Sequence, residues 1–424
     1  LRIVYIAAGA GGMYCGACAR DISLVKGLII RGHDVEIVPL YTPLRPDIDD
    51  APETAPVFYG GINVFLQQAS TVFRGLPRFM DRWLDSPALL RLVSGFAINT
   101  SPKDLGPMTV SVLAGKDGLQ SKELDRLIDY LQSTPKPDVV SITNSMLSAI
   151  APEIKRRMNV PVVCALQGED GFVQSMPEKY ANQARDLMAK NAVSIDRFVA
   201  PGEDYARQMA EYLRVPREKV AVVHAGVDIS LYKRSSPRIH LPFTIGYLSV
   251  IAEPKGLDLL IEAFANGFKL TAETKLVIAG KVLNKPYWEK IQARIQELGI
   301  KDNIQYVGEV DLKAKLDMLD SCSVFVMPGR INESRGMVVM EAMAKSLPVI
   351  APDKGIFPEL IGQHDAGVLV NPEDPKAIAE ALQTIMSDPI RSEQLAGNAR
   401  DTIEKYYSVD AMTEKALEVY QSVL

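Results

Sequence analysis

Apolar runs of strand length alternate with helically spaced apolar positions along almost the whole chain. In the first half the strand-like runs are Arg2–Ala8, Val35–Leu40, Asp138–Ile142, Val160–Leu166, Arg197–Ala200 and Val220–Val223. Helical stretches such as Ala17–Arg31 and Ser145–Met158 fall between them. Strands separated by helices build parallel sheets with crossover connections. From Lys233 to Pro242 the pattern breaks into Ser, Pro and Arg, which reads as a linker. A second series then begins, with strands at Phe243–Ser249, Lys275–Ala279, Asn303–Val307, Ser323–Met327, Pro348–Ala351 and Ala366–Val370. Its helices are expected at Leu257–Gly267, Tyr287–Leu298, Leu312–Leu319 and Arg335–Lys345. The two series predict an α/β protein of two facing, Rossmann-like, doubly wound domains, residues 1–235 and 236–408. Val409–Leu424 places Met412, Ala416, Val419, Tyr420 and Val423 on one helical face. This helix is expected to pack back on the first domain.

The stretch from Tyr41 to Lys122 does not follow the alternation. It mixes Phe58, Phe65, Phe73, Trp83 and Phe96 with Arg74, Arg78, Arg82 and Arg91. It reads first as a folded insertion with a small core of its own. The sharper reading is an acceptor-binding lid or a peripheral membrane contact, with Arg74, Arg78 and Arg82 on one helix face.

Composition narrows the classes. The chain has 424 residues, 47% hydrophobic and 23% charged, as in ordinary soluble enzymes. A formal net charge of −5 argues against a nucleic-acid partner, which favours a basic excess. The apolar runs fall short of the roughly 18 residues that a membrane span needs. The sequence opens on Leu1, so a short trimmed leader is expected, and Leu1–Ala8 reads as a strand and not a signal peptide. Four cysteines, with Cys164 and Cys322 in strand-like runs, point to a reducing, cytoplasmic setting.

Several segments carry candidate chemistry. Glu333-Ser-Arg-Gly-Met-Val-Val-Met-Glu341 holds two carboxylates, the second within an apolar helical run. A carboxylate taken out of water needs hydrogen-bond donors. The paired hydroxyls of a sugar or ribose are one such set, so the segment is a candidate sugar-nucleotide site. Gly9-Ala-Gly-Gly12 follows the first strand and precedes a helix, where backbone N–H groups can approach a phosphate. A dinucleotide enzyme would then carry an acid at the end of the second strand, but that strand ends Ile37-Val-Pro-Leu-Tyr41. Lys255-Gly256 precedes a helix and can meet a diphosphate as a point charge. Taken alone it reads as a solvated loop lysine. The helix after Gly336 would direct its first N–H groups to the same crevice. Cys15-Gly-Ala-Cys18 has redox spacing on a phosphate-type loop, and small-residue helix packing is the favoured reading. A zinc site there would lack ligands, His33 being the one nearby, and no metal site is expected. Asp47-Ile-Asp49 lies in a Pro- and Asp-rich loop and reads as solvated.

These stretches resemble glycosyltransferase family four, the retaining transferases of the GT-B fold. The similarity runs over almost the whole chain. It includes the glycine loop with Arg31-Gly-His-Asp-Val35, His224-Ala-Gly-Val-Asp228, Lys255-Gly-Leu-Asp-Leu-Leu-Ile-Glu-Ala263 and Leu276-Val-Ile-Ala-Gly280. The most specific part is Glu333–Glu341 with Ala342-Met-Ala344, Pro348-Val-Ile-Ala351 and Pro358-Glu359. The opening Gly-Gly-Met-Tyr-Cys-Gly-Ala-Cys and Gln167-Gly-Glu-Asp170 are similar to a bacterial subgroup. The resemblance implies a metal-independent hexosyltransferase that needs no cofactor beyond its nucleoside-diphosphate-sugar donor. Glu341 would hold the ribose and Glu333 the donor sugar. The backbone of Arg335, Gly336, Met337 and Val338 would hold the diphosphate. Lys255 would neutralise the leaving group, Gly11 and Gly12 would close over it, and the backbone near Lys281 and Val307–Val310 would meet the base.

The chain departs from that pattern twice. The arginine expected five residues before Lys255 is Val250. The histidine expected after the strand ending Ala165-Leu166 is Gln167, which can bond a sugar hydroxyl but cannot shuttle a proton near neutral pH. In one reading Arg335 or Arg330 supplies the lost cation. In another the protein binds nucleotide sugars without transferring them. A GT-B phosphorylase or epimerase is a further alternative.

Overall fold

A computed structural model describes residues 1–9, 16–41, 102–233, 242–267 and 274–424. The described chain divides into two compact units, Leu1–Val223 with Met412–Leu424, and His224–Ala411. Each unit is built on a parallel six-stranded sheet.

In the first unit the strands are β1 Arg2–Ala7, β2 Asp34–Pro39, β3 Val139–Ile142, β4 Val162–Ala165, β5 Arg197–Ala200 and β6 Val220–Val222. They lie in the order β2-β1-β3-β4-β5-β6. In the second they are β7 Phe243–Leu248, β8 Thr274–Ala279, β9 Ile304–Gly308, β10 Val324–Val326, β11 Val349–Pro352 and β12 Val368–Val370. Their order is β12-β11-β10-β7-β8-β9. Central strands such as β7 and β11 are buried at every residue, as expected of parallel strands covered by helices on both faces. Each order reverses direction once, between β1 and β3 and between β7 and β10. The loops leaving these strand pairs therefore open a crevice at the carboxyl edge of the sheet.

Local chemistry explains where elements differ from the sequence pattern. The expected helix Ser145–Met158 is split. Ser145–Leu147 is a 3-10 turn capped by the Asn144 side chain on the Met146 N–H at 3.1 Å, and the α-helix runs Ile150–Met158. The expected helix Arg335–Lys345 begins later, at Met337, because Gly336 has φ +66° and cannot continue a right-handed turn. The described end of the insertion joins the main core of the first unit. Helix Pro102–Leu113 buries Leu113 in the main core of the first unit, beside Leu124 and Leu127 of helix Ser121–Ser133. Phe58 to Phe96, the arginine row, Asp47, Asp49, Cys15 and most of the linker lie outside the described residues. Cys18, Cys164 and Cys322 are buried.

Helix Val409–Gln421 lies mostly in the first unit. Tyr420 donates to the Ser141 hydroxyl of β3 at 3.1 Å, and Thr413 is fully buried. A Cβ added to Gly27, in helix Gly16–Ile30, would stand 2.2 Å from the Thr413 hydroxyl oxygen. Gly27→Ala should therefore destabilise the protein by about 1–3 kcal/mol through overpacking. Gly27→Ala with Thr413→Ala should recover part of that loss, since the atom in conflict is gone. Urea unfolding of both variants checks this.

Candidate functional site

The site in the second unit follows from the reversal between β7 and β10. The chain leaving β7 runs Ser249–Ala252, forms a 3-10 turn at Glu253–Lys255, and enters helix Leu257–Gly267. The chain leaving β10 runs Met327–Gly336 into helix Met337–Ala344. Neighbouring strands place the two loops side by side, and their charged side chains meet. The Lys255 ammonium is ion-paired with Glu333, both side chains being about four-fifths buried. The turn carrying Lys255 ends at Gly256, whose φ is +69° and whose Cβ would lie 2.0 Å from the Pro328 carbonyl oxygen. Only glycine fits there.

Glu333 is held from its other side. The Ile356 N–H donates to the Glu333 carbonyl at 2.9 Å. Gly355, at φ +61°, passes so close that a Cβ would stand 2.6 Å from the same oxygen. Gly336 then starts the helix, with Met337 and Val338 in its first turn and partly buried. Helix first turns hold N–H groups that lack intrahelical acceptors, so this end is suited to an anion.

Glu341 lies inside that helix and is 7% exposed. The sequence points to sugar hydroxyls as its donors, yet two protein groups already bond it. Lys315, from helix Leu312–Ser321, reaches Oε1 at 2.6 Å, and the Tyr232 hydroxyl donates to the same atom at 2.8 Å. Lys315 also sits 5.7 Å above the Tyr232 ring. Sequence reasoning missed this lysine, since a lysine on an amphipathic helix reads as solvated. Val310 is partly buried against the same core, and Val250, where an arginine is expected, is 38% exposed.

Arg330 is engaged within the protein. Its Nη1 and Nη2 donate to the two carboxylate oxygens of Asp258 at 2.8 and 2.6 Å, and Nη1 also meets the Glu253 carbonyl at 2.9 Å. Tyr287 donates to Asp258 at 2.7 Å. Burial alone would push the Asp258 carboxyl up; the hydrogen bonds from Arg330 and Tyr287 outweigh it and hold the acid below its ordinary value. Arg330 would have to give up this bidentate pairing to reach a diphosphate in place of the missing arginine. Arg335 is half-buried on the same loop.

In the first unit Gln167 follows β4. Its amide donates to the Thr143 carbonyl at 2.8 Å and hydroxyl at 3.0 Å, and approaches Asp21 at 3.3 Å. Asp21 is 3% exposed and is bonded by Tyr5 at 2.6 Å and Arg20 at 3.1 Å. Glu169 accepts from the N–H groups of Ser145 at 2.9 Å and Gln167 at 2.6 Å. Gln167 thus stands on a buried, bonded base. Gly11 and Gly12 lie outside the described residues.

Comparison with known proteins adds a second line of findings. Residues 228–402 match the family model described as glycosyl transferases group 1, and residues 23–226 match the glycosyl transferase 4-like domain. A D-inositol 3-phosphate glycosyltransferase of Streptomyces avermitilis is 29% identical over 249 residues, covering 54% of this chain and 52% of that protein. A phosphatidyl-myo-inositol mannosyltransferase of Mycobacterium leprae is 29% identical over 182 residues, covering 42% of this chain and 46% of its own. The chain thus spans about half the length of these two relatives. Among solved structures, Anabaena HepE in complex with UDP superposes with TM-score 0.68 at 16% identity over 100% of both chains. Sucrose-phosphate synthase of Thermosynechococcus elongatus gives 0.70 at 17% identity, over 99% of this chain and 98% of that one. Both likenesses concern the fold.

Two measurements probe the site's electrostatics. Lys315→Met strips a cation from a buried acid and should cost roughly 3 kcal/mol, with Lys315→Met/Glu341→Gln recovering most of it. Denaturant unfolding of the pair reads this. Because the folded Asp258 value is lowered, its stabilisation is complete above its unfolded value near pH 4 and lost as pH falls through the folded one. The stability gap between the wild type and Asp258→Asn should be widest near neutrality and close in acid.

Proposed function

We propose that the chain, whose residues 23–226 and 228–402 match glycosyl transferase family models, is a GT-B glycosyltransferase that moves a hexose from a nucleoside-diphosphate sugar to an acceptor hydroxyl with retention of configuration. The observation that carries this reading is the Lys255–Glu333 pair at the reversal between β7 and β10, beside the helix start at Gly336. The site sets a cation, a carboxylate and a helix N-terminus on two adjoining loops. A diphosphate would take the cation and the helix end, and sugar hydroxyls would take the carboxylate.

Without donor, Lys255 and Glu333 neutralise each other. Donor binding replaces that contact on both sides at once, so neither charge is stranded. The bond between the anomeric carbon and the diphosphate oxygen then breaks. The acceptor oxygen bonds that carbon on the same face and passes its proton to the departing phosphate. Lys255 and the helix N-terminus stabilise the charge that develops on the leaving group, usually a large catalytic contribution. These groups supply the positive charge within the protein, so the reaction is proposed to run without a metal. Gln167, fixed by Thr143, is proposed to bond a sugar hydroxyl, and Glu341 the ribose through the oxygen opposite Lys315.

UDP is the first nucleotide to test, since the related Anabaena structures hold UDP and UDP-glucose. Val250 favours a second reading, a nucleotide-sugar binder with weak or no transfer, because valine gives no charge-assisted bond to a diphosphate. A thermal-shift screen of UDP, GDP, ADP and CDP with their sugars separates the readings. A ligand at a hundred times its dissociation constant stabilises by about 2.7 kcal/mol. One nucleotide should stand out and lose its effect in Lys255→Ala. Val250→Arg should tighten diphosphate binding by roughly tenfold, the scale of one charge-assisted bond. Turnover by the wild type supports transfer, binding without turnover supports the binder, and no binding by any nucleotide sugar removes both.

A further inference from the structure

We propose that Asp258 and Arg330 are positioning residues that fasten the Lys255 turn to the Glu333 loop and so fix where the lysine ammonium stands. The inference rests on the proposed role of Lys255 for its kinetic consequence, and on geometry alone for the fastening.

Two segments must be joined for Lys255 and Glu333 to meet, and they lie 78 residues apart in the chain. Lysine carries its charge on a flexible four-carbon stem, so its ammonium is placed only as well as its backbone is. The Glu253–Lys255 turn is a single 3-10 turn, too short to hold itself rigid. Arg330 ties it down in three ways. Its own N–H donates to the Pro254 carbonyl at 2.8 Å. Its Nη1 donates to the Glu253 carbonyl at 2.9 Å. Its two terminal nitrogens hold both oxygens of Asp258, in the first turn of the helix that follows. One side chain thus grips the turn from before and after Lys255.

The grip is itself anchored. Tyr287, in helix Lys285–Glu297, donates to Asp258 at 2.7 Å and accepts from the Asp258 N–H at 3.0 Å. The Asn284 side chain caps that helix on the Tyr287 N–H at 3.1 Å. Lys354 donates to the Arg330 carbonyl, and Glu373 stands 3.5 Å from Arg330 Nε. The Asp258 carboxylate is half-buried and held below its ordinary value by these donors against the pull of burial. The set links helix Leu257–Gly267, helix Lys285–Glu297 and the loop after β10 through the Asp258 carboxylate, which meets Tyr287 on one side and the guanidinium on the other. A planar fork saturated by a carboxylate and a carbonyl acts as a fastener and does not serve as a phosphate ligand.

With valine at position 250, Lys255 is the cation that the β7 loop offers at this crevice, and its placement matters correspondingly. Misplacing a reacting group by about 1 Å can cost on the order of a hundredfold in rate. The first test is a crystal structure of the full chain carrying Asp258→Asn. The Glu253–Gly256 turn should shift and Lys255 should leave hydrogen-bond distance of Glu333. An unmoved turn with the ion pair intact overturns the proposal, whatever reaction the protein performs.

The second test is a double-mutant cycle read as release of nucleoside diphosphate from the donor. Arg330→Ala should lower kcat by roughly ten- to a hundredfold in the wild type and by less than about twofold in Lys255→Ala, because nothing is left to position. A loss of equal size in both backgrounds marks a general structural role and overturns the proposal. Arg330→Lys, which keeps the charge but not the fork, should fall with Arg330→Ala and covers the case in which the alanine variant does not fold. A wild type that releases no nucleotide defeats the functional reading, while the shifted turn in the Asp258→Asn crystal still supports the fastening.

Discussion

A carboxylate drawn out of water must be matched by donors or by a cation, and the second unit meets that demand with cations where its sheet reverses. Glu341 takes Lys315, Glu333 takes Lys255, and Asp258 takes Arg330. The partners stand 26, 78 and 72 residues apart, so each pair joins segments that only the folded sheet brings together. The pairs add little to net stability in themselves, since desolvation offsets much of the attraction. What they set is geometry: a wrong register would strand a charge, which is far more costly than the pair is favourable. The site is therefore as well defined as the strand order beneath it.

The fold was legible because parallel strands covered on both faces are written as near-continuous apolar runs. Strands such as Phe243–Leu248 and Val349–Pro352 stand within a residue or so of where those runs fall. Helix starts were less legible, because a single backbone angle decides them. Gly336 and Asn144 each move a boundary by local geometry that apolar spacing does not encode.

The chemistry was legible where one short segment held it. Glu333, Gly336 and Glu341 announce themselves through two acids around a glycine and an apolar run. Their partners did not, because an ion pair between distant segments follows no spacing rule. Lys315 looks like a solvated helix lysine, Asp258 gives no sign of its partner, and Arg330 reads as a candidate for the lost diphosphate cation. The contrast between Val250 and Arg330 is instructive. An arginine near the crevice is tempting as a substitute for one that is absent, yet the bonds it already makes decide what it can do.

The final helix carries a consequence for how the protein is made. Residues Met412–Leu424 complete the first unit, but they follow all of His224–Ala411 in the chain. Tyr420 meets Ser141 across 279 residues of sequence. During translation the first unit must therefore wait, without the helix that covers Gly27 and Ser141, while the second unit is synthesised. The half that begins first is the half that finishes last, and its exposed interval on the ribosome is set by the length of the other.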